Sequence, residues 1–182
     1  LAAQRRGLEV LPAPAAPCEG TVKPGLLQRL IETARRDYEW VVLDLPSVFH
    51  RMSLQSFWEA DRAFVVSTSE LPSLYLARKA VALLNQLGLG KERVQVLLNR
   101  TGVREGMSGS ELKKIFDCAV EARFADEPAA VNRAVTAGEP LAGESGLGRA
   151  LEDFAGRLAG LPAAERRRAT CVWDASPAYS GT

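Results

Sequence analysis

Short apolar runs alternate along the chain with longer stretches in which apolar residues recur at helical spacing. The apolar runs lie at residues 7–11, 40–45, 63–67, 94–98 and 121–124. Helical periodicity covers residues 24–36, 53–60, 72–88, 109–118, 128–137 and 146–159. Because strands that alternate with helices are typical of βαβ units, the pattern predicts an α/β fold with a mostly parallel sheet and flanking helices.

The run from Trp40 to Leu45 is apolar apart from Asp44. This pattern is typical of a strand buried on both faces, with a carboxylate near its carboxyl end. Further along, Pro72-Ser73 predicts a helix start, and Gly88 with Gly90 predicts its end. On that helix one face repeats the apolar residues Leu74, Ala77, Val81 and Leu84.

The predicted elements place residues 1–160 in one domain. From residue 161 onward, Pro, Ala and the run Arg166–Arg168 show no period, so residues 161–182 are predicted to be a flexible tail. An apolar content of 47% over 182 residues is that of a globular chain with a sizeable core.

Charge and cysteine content narrow the classes of function. The 23 basic and 22 acidic residues nearly cancel, so no global field favours nucleic acid or an anionic membrane. Cys18, Cys118 and Cys171 lack the close spacing of a zinc or redox pair, which favours reduced structural thiols in a cytosolic protein. No apolar run approaches the roughly 20 residues that span a bilayer.

Polar residues follow four of the predicted strands, at the point where each strand ends. They are Asp44, the group Thr68-Ser69-Glu70, the pair Asn99-Arg100, and Asp126. Since open parallel sheets bind ligands at the carboxyl ends of their strands, we expect these side chains to share one edge.

Each candidate has a functional and a structural interpretation. Asp44 would hold the water shell of Mg²⁺, or would cap or anchor a loop. Asn99 with Arg100 would contact a nucleotide base and its surroundings through the paired donor and acceptor of the asparagine amide, or would form a turn beside a solvated arginine. His50, the single histidine, has no nucleophilic partner in a recognisable motif, which favours a surface or loop position.

Several strings resemble those of one protein family. Residues 37–46, DYEWVVLDLP, resemble the Walker B segment of MinD/ParA-like P-loop ATPases, and residues 60–74, ADRAFVVSTSELPSL, look like the strand and helix start that follow it. The phrase at 70–74 and the Leu-Leu-Asn-Arg end at Arg100 are most similar to the CpaE/TadZ pilus-assembly ATPases. Residues 138–141, GEPL, match the closing segment, so the resemblance covers about residues 7–159.

The resemblance implies a SIMIBI-class, MinD-like P-loop NTPase that binds ATP with Mg²⁺ at a homodimer interface and hydrolyses it slowly. It also implies a cytoplasmic protein, recruited to the membrane or a cell pole, that works with pilus or secretion assembly proteins. By position, Asp44 would be the catalytic and Mg²⁺-associated residue, acting through water. Asn99 and Arg100 would lie near the adenine, and Asp126 in the loop that flanks the base.

Two departures from the family pattern shape these expectations. Ser47 and Val48 stand where many relatives have a second proline and a glycine, and no Gly-rich loop ending in GKT or GKS occurs in the 182 residues. Nothing else in the chain replaces that phosphate cradle. We therefore expect the first strand and the P-loop to lie in an upstream extension.

Three functions follow from these expectations. The first is an ATPase module for pilus or secretion assembly. The second is a non-catalytic scaffold with the same fold, and the third a partitioning or septum-site ATPase.

Overall fold

The computed structural model describes residues 2–5, 8–12, 24–49, 51–102, 107–141 and 143–161. By their internal contacts, the residues divide into two compact units, Leu1–Ala60 and Asp61–Thr182.

The first unit contains a small hairpin and two helices. Strands β1 (Ala2–Arg5) and β2 (Leu8–Val10) pair antiparallel, and helix α1 (Pro24–Asp37) contacts helix α2 (Arg51–Glu59). The two helices are joined by a hydrogen bond of 2.9 Å from Arg35 Nη1 to the carbonyl of Glu59.

The second unit is a parallel three-stranded sheet with helices between and after its strands. Its order along the sheet is β3-β4-β5, with both pairs parallel. The elements in chain order are β3 (Ala63–Ser67), α3 (Leu71–Gln86), β4 (Val94–Thr101), α4 (Gly109–Phe116), β5 (Val120–Ala125), α5 (Pro128–Ala137) and α6 (Gly146–Leu158). This unit confirms the predicted α/β fold with a parallel sheet.

Both faces of the sheet carry buried apolar residues. On one face, Leu97 and Phe124 pack with Leu147 of α6, and Phe154 of α6 meets Phe64 and Phe124 edge to face. Because side chains alternate along a strand, the buried residues Val94, Val96 and Leu98 of β4 point to the other face. Helix α3 contacts β3, β4 and α4, and its buried residues are the four predicted from the sequence.

One predicted strand of the first unit is wrong. Residues 40–46 form no strand, and their side chains are largely exposed, with Val42 at 88% and Trp40 at 53%. A strand needs a neighbour to accept its backbone hydrogen bonds, and in the described part of this unit the two strands pair only with each other. The predicted strand at residues 7–11 is confirmed as β2, which pairs antiparallel with β1. Of the described side chains of α1, only that of Ile31 is buried.

Other predictions lie outside the described residues. They concern His50, Arg166–Arg168 and the tail after Leu161, together with Cys18 and Cys171. Among the described helices, none combines the length and apolarity that a membrane crossing requires.

Cys118 is a free thiol that is only 4% exposed, two residues after the end of α4. Burial, together with a smaller effect of the nearby Asp117 carboxylate, raises the pKa of the Cys118 thiol to about 11. Because the thiolate is the reactive form, a buried thiol with this pKa is a packing residue.

We therefore expect Cys118 to resist alkylation at pH 8, where only about one thiol in a thousand would be ionised. Iodoacetamide labelling followed by peptide mass spectrometry measures this, with the same protein in urea as the control. The raised pKa also means that stability falls as pH rises from about 8.5, the unfolded value, towards the folded value. Equal labelling rates in native and denatured protein would contradict the assignment.

Candidate functional site

The carboxyl ends of β3, β4 and β5 lie side by side. Ser67 is opposite Leu98, and Thr101 is opposite Ala125. Thr68 therefore follows β3 beside the end of β4, and Asp126 follows β5 beside Thr101. The structure places Asn99, Arg100 and Asp126 at one edge of the sheet, as expected for neighbouring parallel strands.

A cluster of hydroxyl groups shapes the turn between β3 and α3. Ser73 Oγ accepts a hydrogen bond of 3.0 Å from the Thr68 amide and lies 2.9 Å from Ser67 Oγ. Ser67, only 3% exposed, also donates to the Thr68 carbonyl at 3.0 Å. The turn is thus held by side chains of both the strand and the helix.

Thr68 leaves one polar atom unsatisfied at this edge. Its Oγ1 is buried and has no hydrogen-bond partner among the described residues. Buried polar atoms are nearly always hydrogen-bonded, so an unsatisfied hydroxyl calls for an explanation. Asn85 Oδ1 at the end of α3 and Gln95 Oε1 at the start of β4 are unsatisfied in the same way, so this feature is not confined to the carboxyl edge of the sheet.

The end of β4 is irregular. Its pairing with β5 shifts between Leu98 and Thr101, so that one extra residue of β4 is accommodated, and Arg100 there has φ 54°. A non-glycine residue in the left-handed region is strained, and such residues cluster at functional sites. The bulge changes the direction of the exposed Arg100 relative to a regular strand.

Three hydrogen bonds, each with at least one backbone group, hold the residues beside this bulge. Asn99 Oδ1 accepts from the Arg100 amide at 3.0 Å, and Thr101 Oγ1 donates to the Phe124 carbonyl at 3.0 Å. The Asp126 amide donates to the Thr101 carbonyl at 3.2 Å. Asp126 is therefore held to β4 by its backbone while its side chain is exposed.

Glu127, which sequence reasoning missed, joins this edge to a distant helix. Its Oε1 accepts a hydrogen bond of 3.1 Å from the amide of Leu147, at the start of α6. The two residues are 20 positions apart, and no local motif in the sequence signals the contact. Ser145, the N-cap of α6, is visible in the sequence and accepts from the Gly148 amide at 2.8 Å.

Asp44 belongs to the first unit and lies, exposed, in the irregular stretch at residues 40–46, so the prediction that it ends a buried strand is wrong. Its predicted association with Mg²⁺ remains a prediction. In the described ranges, no three His, Cys, Asp or Glu side chains gather as direct metal ligands.

Comparison with known proteins gives one related sequence. The chain is 25% identical, over 95 residues, to the septum site-determining protein MinD of Thermotoga maritima, a match that covers 52% of this chain and 35% of MinD. No protein-family model matches the sequence.

Solved structures match more of the chain. A ParA family ATPase from Chlorobium tepidum superposes with a TM-score of 0.67 at 20% identity, covering 74% of this chain and 57% of that one. A chain of the MinC:MinD cell division protein complex of Aquifex aeolicus superposes with a TM-score of 0.68 at 22% identity, covering 78% of this chain and 61% of that one. MinD of Pyrococcus horikoshii, solved with Mg-ADP, gives 0.61 at 19%, covering 75% and 56%.

The chain has the MinD/ParA fold. It spans about a third of the related MinD sequence and 56–61% of these three solved chains. The sheet β3-β4-β5 and its helices are the described part that carries the parallel α/β architecture of the MinD/ParA fold.

Replacing Ser73 with Ala should lower the free energy of unfolding by about 1–3 kcal/mol, because the Thr68 amide loses its acceptor and the buried Ser67 hydroxyl loses a partner. Urea unfolding measures the change. The matched control is Ser69→Ala in the same turn, which we expect to shift stability by no more than about 0.5 kcal/mol. Equal effects of the two substitutions would argue against a hydroxyl-held turn.

Replacing Arg100 with Gly should leave stability unchanged or raise it by up to about 1.5 kcal/mol. Relief of the left-handed backbone gains about 1–2 kcal/mol, and the added freedom of glycine in the unfolded chain costs about 0.5–1 kcal/mol. Arg123→Gly is the control, since Arg123 lies in β5 and donates to the Met107 carbonyl at 3.1 Å. This second change should destabilise, and an equal loss from both would refute strain at Arg100.

Proposed function

We propose that this chain is the carboxyl-terminal part of an ATP-binding, dimerising ATPase module with the MinD/ParA fold. The proposal is carried by one observation: three parallel strands end side by side at one edge of the sheet. Thr68, Asn99 with Arg100, and Asp126 lie at these strand ends. In open α/β sheets this edge is the usual place of a bound nucleotide. A solved structure of the same fold contains Mg-ADP, which gives the ligand class.

The residues at the edge fit a nucleotide base. The Asn99 amide keeps its two N–H donors free of the bond that its Oδ1 accepts, and a base offers acceptors to such donors. The unsatisfied Oγ1 of Thr68 adds a further polar group at the neighbouring strand end. In this proposal Asn99 and Arg100 contact the base and its surroundings, and the loop at Asp126 flanks it.

Asp44 has a separate role in the proposal. Mg²⁺ retains several waters and takes one or two carboxylates, so a single aspartate acting through water suffices for its outer shell. Bound ATP would supply the phosphoryl group, and Asp44 would orient the Mg²⁺-bound water. The phosphate-binding loop would come from residues outside the 182, since the chain itself has no Gly-rich loop with a GKT or GKS ending.

The cellular task that we propose is the placement or assembly of a pilus or secretion machine from the cytoplasm, with recruitment to the membrane or a cell pole. The segment at residues 70–74, which resembles the CpaE/TadZ pilus-assembly ATPases, supports this assignment. It lies at the hydroxyl-held turn and the start of α3. A nucleotide-dependent homodimer would bind the assembly proteins.

A second candidate is a septum-site or partitioning ATPase, favoured by the matched proteins, which are named MinD and ParA. A non-catalytic scaffold with the same fold is the remaining alternative. The nearly neutral charge gives no support to non-specific DNA binding.

Nucleotide titration of the complete protein tests the proposal. We expect Asn99→Ala to weaken ATP binding about 3–10-fold, as loss of one or two hydrogen bonds to the base predicts. Asp44→Ala should remove the gain in ATP affinity that Mg²⁺ gives, and leave binding in EDTA unchanged. Isothermal calorimetry with and without Mg²⁺ measures both effects.

Asp37→Ala, at the exposed end of α1, is the matched control for Asp44, because it removes the same group from the same unit. ATP binding by the wild-type protein that Asn99→Ala leaves intact would overturn the assigned site. No ATP binding by the complete wild-type protein would favour the scaffold.

A further inference from the structure

Glu127 follows Asp126 in the loop that we propose flanks the base, and it contacts α6, the last described helix. We propose that Glu127 is a positioning residue: it holds the loop that carries Asp126 against the start of α6 and thereby sets the affinity for the nucleotide base. The identity of the ligand in this inference rests on the proposed function. The hydrogen bond between Glu127 and α6 is observed in the second unit and does not depend on that function.

The first step is the unsatisfied start of α6. The first amides of a helix have no partner within the helix. Ser145 accepts from the Gly148 amide, and the carboxylate of Glu127 accepts from the Leu147 amide. A carboxylate at a helix amino terminus also interacts favourably with the helix dipole. Ser145 and Glu127 together therefore cap two of the first amides of α6, and Ser145 alone would cap only one of them.

The second step is the close approach at Gly146. A Cβ at residue 146 would lie against Glu127 Oε1 at a distance that real Cβ atoms essentially never show. Since Gly146 does not have a positive φ, its backbone would accept alanine, and the carboxylate is the obstacle. The absence of a side chain at Gly146 is therefore what lets Glu127 reach the Leu147 amide.

The third step is the connection to the site. Residue 126 is held on one side by its amide bond to the Thr101 carbonyl of β4. On the other side, Glu127 fixes the loop to α6, whose Leu147 is buried against Leu97 and Phe124. The loop is therefore attached to two rigid elements, and its free side chain is that of Asp126.

Removing the carboxylate should free the loop. In Glu127→Ala, we expect the Leu147 amide to exchange its hydrogen about ten times faster, because it loses a charge-assisted partner. Glu127→Gln keeps an acceptor oxygen and should restore most of the protection. Hydrogen exchange followed by mass spectrometry on the complete protein measures both variants, with Glu139→Ala, an exposed carboxylate beyond α5, as the control.

A double-substitution cycle tests the contact at Gly146. Gly146→Ala should speed the exchange of the Leu147 amide as much as Glu127→Ala does, because the new methyl group displaces the carboxylate. The same change in the Glu127→Ala background should add nothing, since the obstacle is already gone. Additive effects of the two changes would overturn the proposed contact.

The effect on the ligand separates positioning from general damage. ATP and inorganic tripolyphosphate serve as probes, because only ATP has a base. We expect Glu127→Ala to weaken ATP binding about 5–10-fold, to leave tripolyphosphate binding unchanged, and to be rescued by Glu127→Gln. Equal losses for both probes, or no loss for either, would refute the positioning role. If the wild-type protein binds tripolyphosphate and not ATP, the proposed function fails, while the exchange measurements still decide the contact.

Discussion

The described part of the second unit depends on one strand. β4 is hydrogen-bonded to a parallel strand on each edge and is buried on both faces, with Val94 and Val96 fully buried. Helix α3 connects β3 to β4, and helix α4 connects β4 to β5. Because parallel strands end at the same edge, the register of β4 with its two neighbours alone brings Thr68, Asn99 and Asp126 together. The candidate site is a consequence of that pairing.

The sequence predicted this unit well because its periodicity is strong. β3 at 63–67 and α5 at 128–137 were predicted to the residue, and the buried face of α3 was identified in full. In these segments the buried surface is made by residues whose spacing matches the element. The position of Asn99 and Asp126 at one edge was predicted from the parallel order of the strands, without knowledge of any side-chain contact.

The features that the sequence did not predict have a common physical cause: each depends on a contact with residues distant in the sequence. The run at 40–45 has the composition of a buried strand, but composition does not supply a neighbour for its backbone. The bulge at Arg100 arises from the register between β4 and β5, and the Glu127 contact spans 20 residues. Neither leaves a local signal that pattern reasoning can read.

The exposed apolar residues bear on the proposed upstream strand. Val66 of β3 is 63% exposed, and in the described chain β3 pairs only along one edge. In the first unit, the run at 40–45 exposes Val42 and Trp40 although its pattern is that of a buried strand. Apolar strands with open edges readily pair with a further strand. In the described chain, the open edge of β3 is therefore one place where a further strand can pair with this sheet.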